Sequence, residues 1–303
     1  MGLRARIRDT MPEPVRAFIR PMSSRVLDGF LQMRARGGSA DRIRPSFICI
    51  GAGKAGTTSL FFWLVQHPDI VEPMKKEINF FYRHWDRGLD FYLAHFPKRA
   101  EVGAGAISGD VSPGYLANEV TPQRLAQTFP DAKLIALFRN PVARTISHHH
   151  HDVREGRCAA RPLVDALIAE GLMIAPERTN ALLEALGRGP EPAVPVQKGE
   201  AWPPHHMRNS LYADHLERWM EHFPREQFLL LKSEDLFADP KSVYEETLDF
   251  IGAEPYDVGP VQAFNVGKYK ESDARVIDYL KDVFEEPNER LGRLAGREFD
   301  WDD

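Results

Sequence analysis

The sequence predicts a single α/β domain with a central parallel sheet flanked by helices, and three observations carry that expectation. A short apolar run at residues 46–50 ends in Gly51, Ala52 and Gly53, the pattern of a buried strand feeding a glycine-rich turn. Apolar runs of strand length then alternate with helical segments of about ten to fifteen residues, the rhythm of repeated βα units. The chain has 303 residues, 43% hydrophobic and 27% charged, which is ordinary globular composition and enough to bury one core without staples.

Taken in order, residues 1–45 read as a basic N-terminal arm, with ten arginines against four acids and a net charge of +6 in a chain of −5 overall. No run of about 18 apolar residues exists, so no transmembrane helix is expected. The leader lacks the continuous apolar stretch of a signal peptide, and Arg6 stands where a myristoylation signal needs Ser or Thr. Such an arm has the chemistry to lie on an anionic membrane surface; the plainer alternative is a solvated leader packed loosely on the domain. The acidic total argues against nucleic acid as a partner. Two cysteines, Cys49 and Cys158, exclude a disulfide scaffold and a cysteine-rich zinc module, and they suit a reducing cytoplasm.

The domain proper is expected over residues 46–303. The strand at 46–50 leads to a helix at 57–66, with a threonine able to cap it and Pro68 marking its exit. The same rhythm returns at 106–111, 122–129, 133–138 and 142–155. A further strand at 228–232 lies between helices at 207–222 and 241–251. One segment breaks the pattern: residues 176–204 carry six prolines and read as an irregular insertion, either a lid over the site or a stretch without order.

The most informative stretch is Gly51-Ala52-Gly53-Lys54-Ala55-Gly56-Thr57-Thr58. Small residues let the backbone fold around an anion, and the helix that follows aims its first N–H groups at it. Lys54 adds a point charge, and the Thr57 and Thr58 hydroxyls add donors. A Walker A loop would place its lysine directly after the last glycine, whereas Lys54 precedes Gly56. The strand at 133–138 ends in Arg139, where a magnesium-dependent kinase would want an acid. These two departures point away from ATP with magnesium and toward a nucleotide carrying an extra phosphate.

On these residues the sequence resembles the sulfotransferases that use 3′-phosphoadenosine 5′-phosphosulfate (PAPS), particularly the carbohydrate branch that includes the heparan sulfate 3-O-sulfotransferases. The stretch Lys54, Ala55, Gly56, Thr57 and Thr58 is similar to that family's 5′-phosphosulfate loop, and Arg139 with Ser147 matches its 3′-phosphate pair. A strand-end arginine and a serine two turns into the next helix converge on one anion, so the spacing makes geometric sense. The segment Lys76-Glu-Ile-Asn-Phe-Phe81 resembles the one carrying the family's catalytic glutamate, which implies that role for Glu77. Likeness continues at 88–93, at Ser210 to Tyr212 with Trp219, and at 286–301, so that it spans residues 46–301. Three departures stand out. Val111 occupies the place of a lysine in the branch's active site, Asn79 replaces a histidine, and a cysteine-bridged hairpin near the C-terminus is absent.

The resemblance implies in-line transfer of a sulfuryl group from PAPS to a hydroxyl or amine, with a glycan or small molecule as acceptor and no metal required. Glu77 would act as general base, a role that burial would favour, and Lys54 would neutralise charge on the transferring group. Arg139 and Ser147 would hold the 3′-phosphate, with Gly267, Lys268 and Tyr269 closing over it. Asp110 is a weaker candidate for acceptor binding, with a turn cap as its plain alternative, and Tyr212 either lines the cofactor cleft or belongs to the core. A run of histidines, His148 to His151, sits in the helix after Arg139. Adjacent helical residues do not share a face, so the run cannot offer four ligands to one ion and is expected to form a polar, cleft-facing surface. Two other readings stay open at this point, a non-catalytic binder of PAPS or its desulfated product and a P-loop kinase.

Overall fold

Apolar runs too buried to alternate dictate the centre of the molecule. In the computed structural model, which describes residues 24–158, 162–189, 205–261 and 273–301, helix α1 (Ser24–Arg36) precedes strand β1 (Phe47–Gly51), whose five residues are all buried. Helices α2 (Thr57–Leu64), α3 (Phe80–Arg83) and α4 (Leu89–Leu93) lead to strand β2 (Gly109–Val111). Helix α5 (Thr121–Thr128) then returns the chain to strand β3 (Lys133–Phe138). After it come helices α6 (Pro141–Arg154), α7 (Leu163–Ile174), α8 (Pro176–Ala185) and α9 (Tyr212–Met220). Strand β4 (Phe228–Lys232) and helices α10 (Ser233–Ala238), α11 (Pro240–Ile251) and α12 (Ala274–Ala295) complete the described chain.

The four strands form one parallel sheet in the order β2-β1-β3-β4. In register, Ile48 faces Asp110, Cys49 faces Ile135, and Ala136 faces Leu230. Strands buried on both faces need apolar residues at every position, which is why β1, β3 and β4 read as continuous runs. The chain leaves β1 toward β2 on one side and leaves β3 toward β4 on the other. A crevice therefore opens beyond the carboxyl ends of β1 and β3, where open α/β sheets bind ligands.

Two apolar clusters support this crevice. The larger wraps the sheet and includes the fully buried rings of Trp63, Tyr92, Phe138 and Trp219. The smaller joins α7, α8 and α12 through Leu167, Leu182, Leu280 and Phe284, and Val142 and Ile146 of α6 pack against it. Helix α6 is thus clamped from behind while its other face looks into the crevice. No helix among the described residues is long and apolar enough to cross a membrane.

Three expectations are revised. Residues 176–185 form α8 rather than irregular chain, because Pro176 stands at the first helical turn, where its missing N–H costs nothing; residues 190–204 lie outside the described residues. The helix expected at 207–222 is a 3₁₀ turn, Arg208–Ser210, followed by α9. The second half of the basic stretch, from Ser24 on, packs on the domain. Leu31 and Ile43 are buried in the main cluster, and Arg34 donates to the carbonyls of Ala94 and Phe96 at 2.9 Å each.

Candidate active site

The glycine-rich loop after β1 is bent by its own backbone. The Ala52 N–H donates to the Leu137 carbonyl at 2.8 Å, which ties the loop to β3, and the Ala55 N–H donates to the Ala52 carbonyl at 3.2 Å. Lys54 and Gly56 both adopt positive φ, at 73° and 95°. At Gly56 a β-carbon would stand 2.7 Å from Leu236 Cδ2, so glycine is required there twice over. Helix α2 starts at Thr57 and presents its positive end to the loop.

Two arginines brace this loop from the α6 side. The Arg139 Nη1 donates to the Lys54 carbonyl at 3.2 Å, and the Arg144 Nε donates to the Gly53 carbonyl at 3.0 Å. Arg144 is buried, and its Nη1 also donates to the His206 carbonyl at 2.9 Å and the Ser210 hydroxyl at 3.2 Å. Burial, then the charges of Arg154, Arg139 and Arg144, push Lys54 below its ordinary value, with Asp152 opposing. Lys54 thus sits among three guanidinium groups with Asp152 opposing, and such an excess of positive charge is the electrostatic signature of an anion site. The sequence reading missed Arg144, which a helical wheel would place near Ser147 but not buried.

Ser147 is buried at the back of the same crevice, which it lines together with Lys54, Thr57, Thr58 and Arg139. Asn140 caps α6 by accepting the Ala143 N–H at 3.1 Å. Its own N–H donates to Glu234 at 3.0 Å, and Glu234 also accepts the Trp301 indole N–H at 3.0 Å. Tyr212 supports this turn from below. It is fully buried and donates its hydroxyl to the Arg139 carbonyl at 3.0 Å, so it holds the arginine's backbone without lining the cleft. Gly267, Lys268 and Tyr269 lie outside the described residues.

Glu77 enters the cleft from the opposite wall. Its N–H donates to the Val111 carbonyl at 3.1 Å, and both Glu77 and Asn79 have positive φ, at 61° and 55°. The Glu77 side chain is half exposed, not buried, and Lys76 Nζ stands 3.1 Å from its Oε1. Beneath this segment, Asp110 is fully buried and does not reach the cleft. It accepts the hydroxyls of Ser112 at 2.7 Å, Tyr115 at 2.8 Å and Tyr92 at 3.3 Å. Those first two hydroxyls in turn accept the N–H groups of Asn79 at 3.0 Å and Phe80 at 2.9 Å. Asp110 is therefore the anchor of the turn that presents Glu77. Burial raises its carboxyl to about 6, with the three hydroxyls pulling the other way. Cys49 is core, its thiol pushed up to about 12 by burial.

Among the described residues, three non-glycine residues have positive φ, namely Lys54, Glu77 and Asn79, and all three line one cleft of about 1410 Å³. Each such residue costs on the order of 1–2 kcal/mol, and strain of this kind persists where the surroundings enforce it. Arg83, Arg154, Arg157 and His151 also line the cleft, with Glu155 and Glu234, and arginines outnumber carboxylates along its lining.

Comparison with known proteins agrees with this geometry. The family profile described as "Sulfotransferase domain" matches residues 44–273. The chain is 27% identical to the membrane-associated sulfotransferase kil1 of Dictyostelium discoideum, over 85% of this chain and 66% of that protein. It is 30% identical to human bifunctional heparan sulfate N-deacetylase/N-sulfotransferase 3, over 86% of this chain and 27% of that protein. Human heparan sulfate glucosamine 3-O-sulfotransferase 3B1 is 28% identical, over 88% of this chain and 67% of that protein. The chain thus spans from about a quarter to about two thirds of the length of these relatives. A solved structure, the sulfotransferase from Alicyclobacillus acidocaldarius, superposes with a TM-score of 0.65 at 26% identity, covering 85% of this chain and 98% of that one. With the loop after β1, the arginine after β3 and the Glu77 turn all inside the matched span, the chain belongs to the sulfotransferase family.

Proposed function

We propose that this protein transfers a sulfuryl group from PAPS to a hydroxyl or amine of a glycan acceptor, with Glu77 as the general base. The observation that carries the reading is the meeting of three strained residues, Lys54, Glu77 and Asn79, in one cleft with Arg139 and Ser147. The donor supplies an activated sulfuryl group on a good leaving phosphate. The residues of the loop fit such an anion, because Lys54 stands among three guanidinium groups with Asp152 opposing them, an excess of positive charge. Lys54, with the Ala55, Gly56, Thr57 and Thr58 backbone, holds the 5′ end. Arg139 and Ser147 take the 3′-phosphate. Glu77, on the facing wall, accepts the acceptor's proton as its oxygen or nitrogen attacks. Catalysis on this scheme is positioning plus electrostatics, with little covalent work for the protein.

Support for a glycan acceptor comes from the relatives, whose names specify heparan sulfate, and from the excess of arginines over carboxylates along the cleft, which suits acidic sugars. The basic residues at 1–23 and the kil1 name support peripheral contact with an anionic membrane. A second reading, binding of PAPS without turnover, is favoured by Val111, which is buried where the branch has a lysine. Incubation with ³⁵S-labelled PAPS and a panel of desulfated and acidic oligosaccharides separates the two. Label transferred to a sugar supports the enzyme. Tight binding of the desulfated nucleotide with no transfer to any acceptor, or slow hydrolysis alone, leaves the binder.

A further inference from the structure

Behind the cationic wall, helix α6 sets His148 and Asp152 one turn apart on a single face, and the chain leading into α9 lays His206 across them. The His206 Nε2 is 3.2 Å from Asp152 Oδ2, and the His148 Nε2 is 3.4 Å from that same oxygen. The other carboxylate oxygen faces Arg157 at 3.5 Å, which leaves Oδ2 to the imidazoles. All three ligand atoms lie within 4.8 Å of one another. The side chains are 18%, 17% and 1% exposed for His148, Asp152 and His206.

We infer that His148, Asp152 and His206 form a binding site for a divalent d-block cation of the zinc type, with an open fourth position toward the cleft. Two imidazoles and one carboxylate are the N/O donors such ions take, and bonds of about 2.0–2.2 Å place tetrahedral ligand atoms roughly 3.3–3.5 Å apart. The His148–Asp152 separation of 3.4 Å falls within that span, and the His206–Asp152 separation of 3.2 Å lies just below it. The Nδ1 atoms of both imidazoles are buried without a hydrogen-bond partner, and the two rings pack edge to face with centroids 4.9 Å apart. His148 alone of the three lines the cleft, so the free coordination position opens there. The spacing argument against the histidine run holds within the run. This site takes only His148 from it and completes the set from one turn further along α6 and from the far side of the 190–204 stretch.

A neighbouring set, His149, Cys158 and His206, shares His206 and could compete for the ion. The site stands or falls independently of sulfuryl transfer, so its test reads metal rather than turnover. Metal-stripped full-length protein is titrated with Zn²⁺ by calorimetry and with Co²⁺ by visible absorption. One Zn²⁺ per chain is expected, with a four-coordinate Co²⁺ spectrum. Asp152→Asn and His206→Ala should each weaken binding tenfold or more, while His150→Ala, outside both sets, should leave it unchanged. Circular dichroism of the metal-free variants checks their folding, and the near-isosteric Asp152→Asn carries the test if His206→Ala does not fold. Absence of stoichiometric binding to the wild-type chain overturns the proposal. Binding that survives Asp152→Asn but is lost in Cys158→Ala or His149→Ala also overturns it, by moving the ion to the neighbouring set.

Discussion

The hydroxyl of Tyr115 bridges the buried carboxylate of Asp110, to which it donates at 2.8 Å, and the Phe80 N–H, which it accepts at 2.9 Å. Ser112 makes the parallel bridge from Asp110 to the Asn79 N–H. One buried carboxylate thus fixes two consecutive N–H groups, two and three residues after Glu77. Asp110→Asn keeps the shape but turns one acceptor into a donor that opposes a hydroxyl. Turnover should fall by about tenfold or more through loss of alignment at Glu77, with affinity for the desulfated nucleotide unchanged. Equal losses in both would show that Asp110 supports the whole domain rather than this turn.

The same carboxyl makes a statement about pH. Burial raises Asp110 to about 6 from an ordinary value of 3.8. The folded chain therefore keeps a proton over an interval in which the unfolded chain has released it. Stability from this group is greatest below about pH 4 and falls as pH rises through about 6, by about 3 kcal/mol in all. Asp110→Asn cannot titrate, so the stability of the variant relative to wild type should rise across that interval. Urea unfolding of both proteins at stepped pH measures it, and a pH-independent difference would contradict the assignment.

Arg139 and Arg144 both hold the loop yet should fail differently. Arg139 lines the cleft and, among the described residues, donates to the Lys54 carbonyl. Arg139→Ala should weaken nucleotide binding by about 2 kcal/mol, roughly thirtyfold, with a small change in melting temperature. Arg144 is buried and supplies three acceptors, so Arg144→Ala should destabilise the fold itself by about 3 kcal/mol. Calorimetry and thermal melts on the two variants distinguish them. Unchanged nucleotide affinity in Arg139→Ala would mean that the 3′-phosphate lies elsewhere.

What was legible in the sequence follows from what local chemistry determines. Strands β3 and β4 could be bounded to the residue because apolar runs buried on both faces have no other use. The loop after β1 was legible because only small residues fit it, as Leu236 at Gly56 demonstrates. Strand β2 came out shorter than expected. Its pairing starts at Gly109, which passes directly under the Phe47 ring, while Ile107 makes only an isolated bridge to Ile70. Asp110 and Tyr212 had the right chemistry for a site but face inward, a matter of which layer each residue meets. The approach of His206 to Asp152, 54 positions apart, is purely tertiary and has no sequence signature.

The last prediction concerns Glu77. Its turn is held in a left-handed conformation by bonds from Val111, Ser112 and Tyr115, none of which involves its side chain. Glu77→Gln should therefore fold and present its side chain as wild type does. The contact with Lys76 is half exposed, and pairs of that kind contribute little to stability. Nucleotide affinity should stay within a few-fold of wild type, because the loop and Arg139 stand on the opposite wall. Turnover should drop by about 100-fold or more, since a carboxamide cannot take a proton at neutral pH. A rate near wild type in Glu77→Gln would mean that the acceptor brings its own base, and the pairing of Glu77 with Lys76 would then be a contact for acceptor charge. Comparison with Lys76→Met separates these cases. Loss of the ammonium should leave a true base in place and turnover largely intact, whereas an acceptor contact would raise KM.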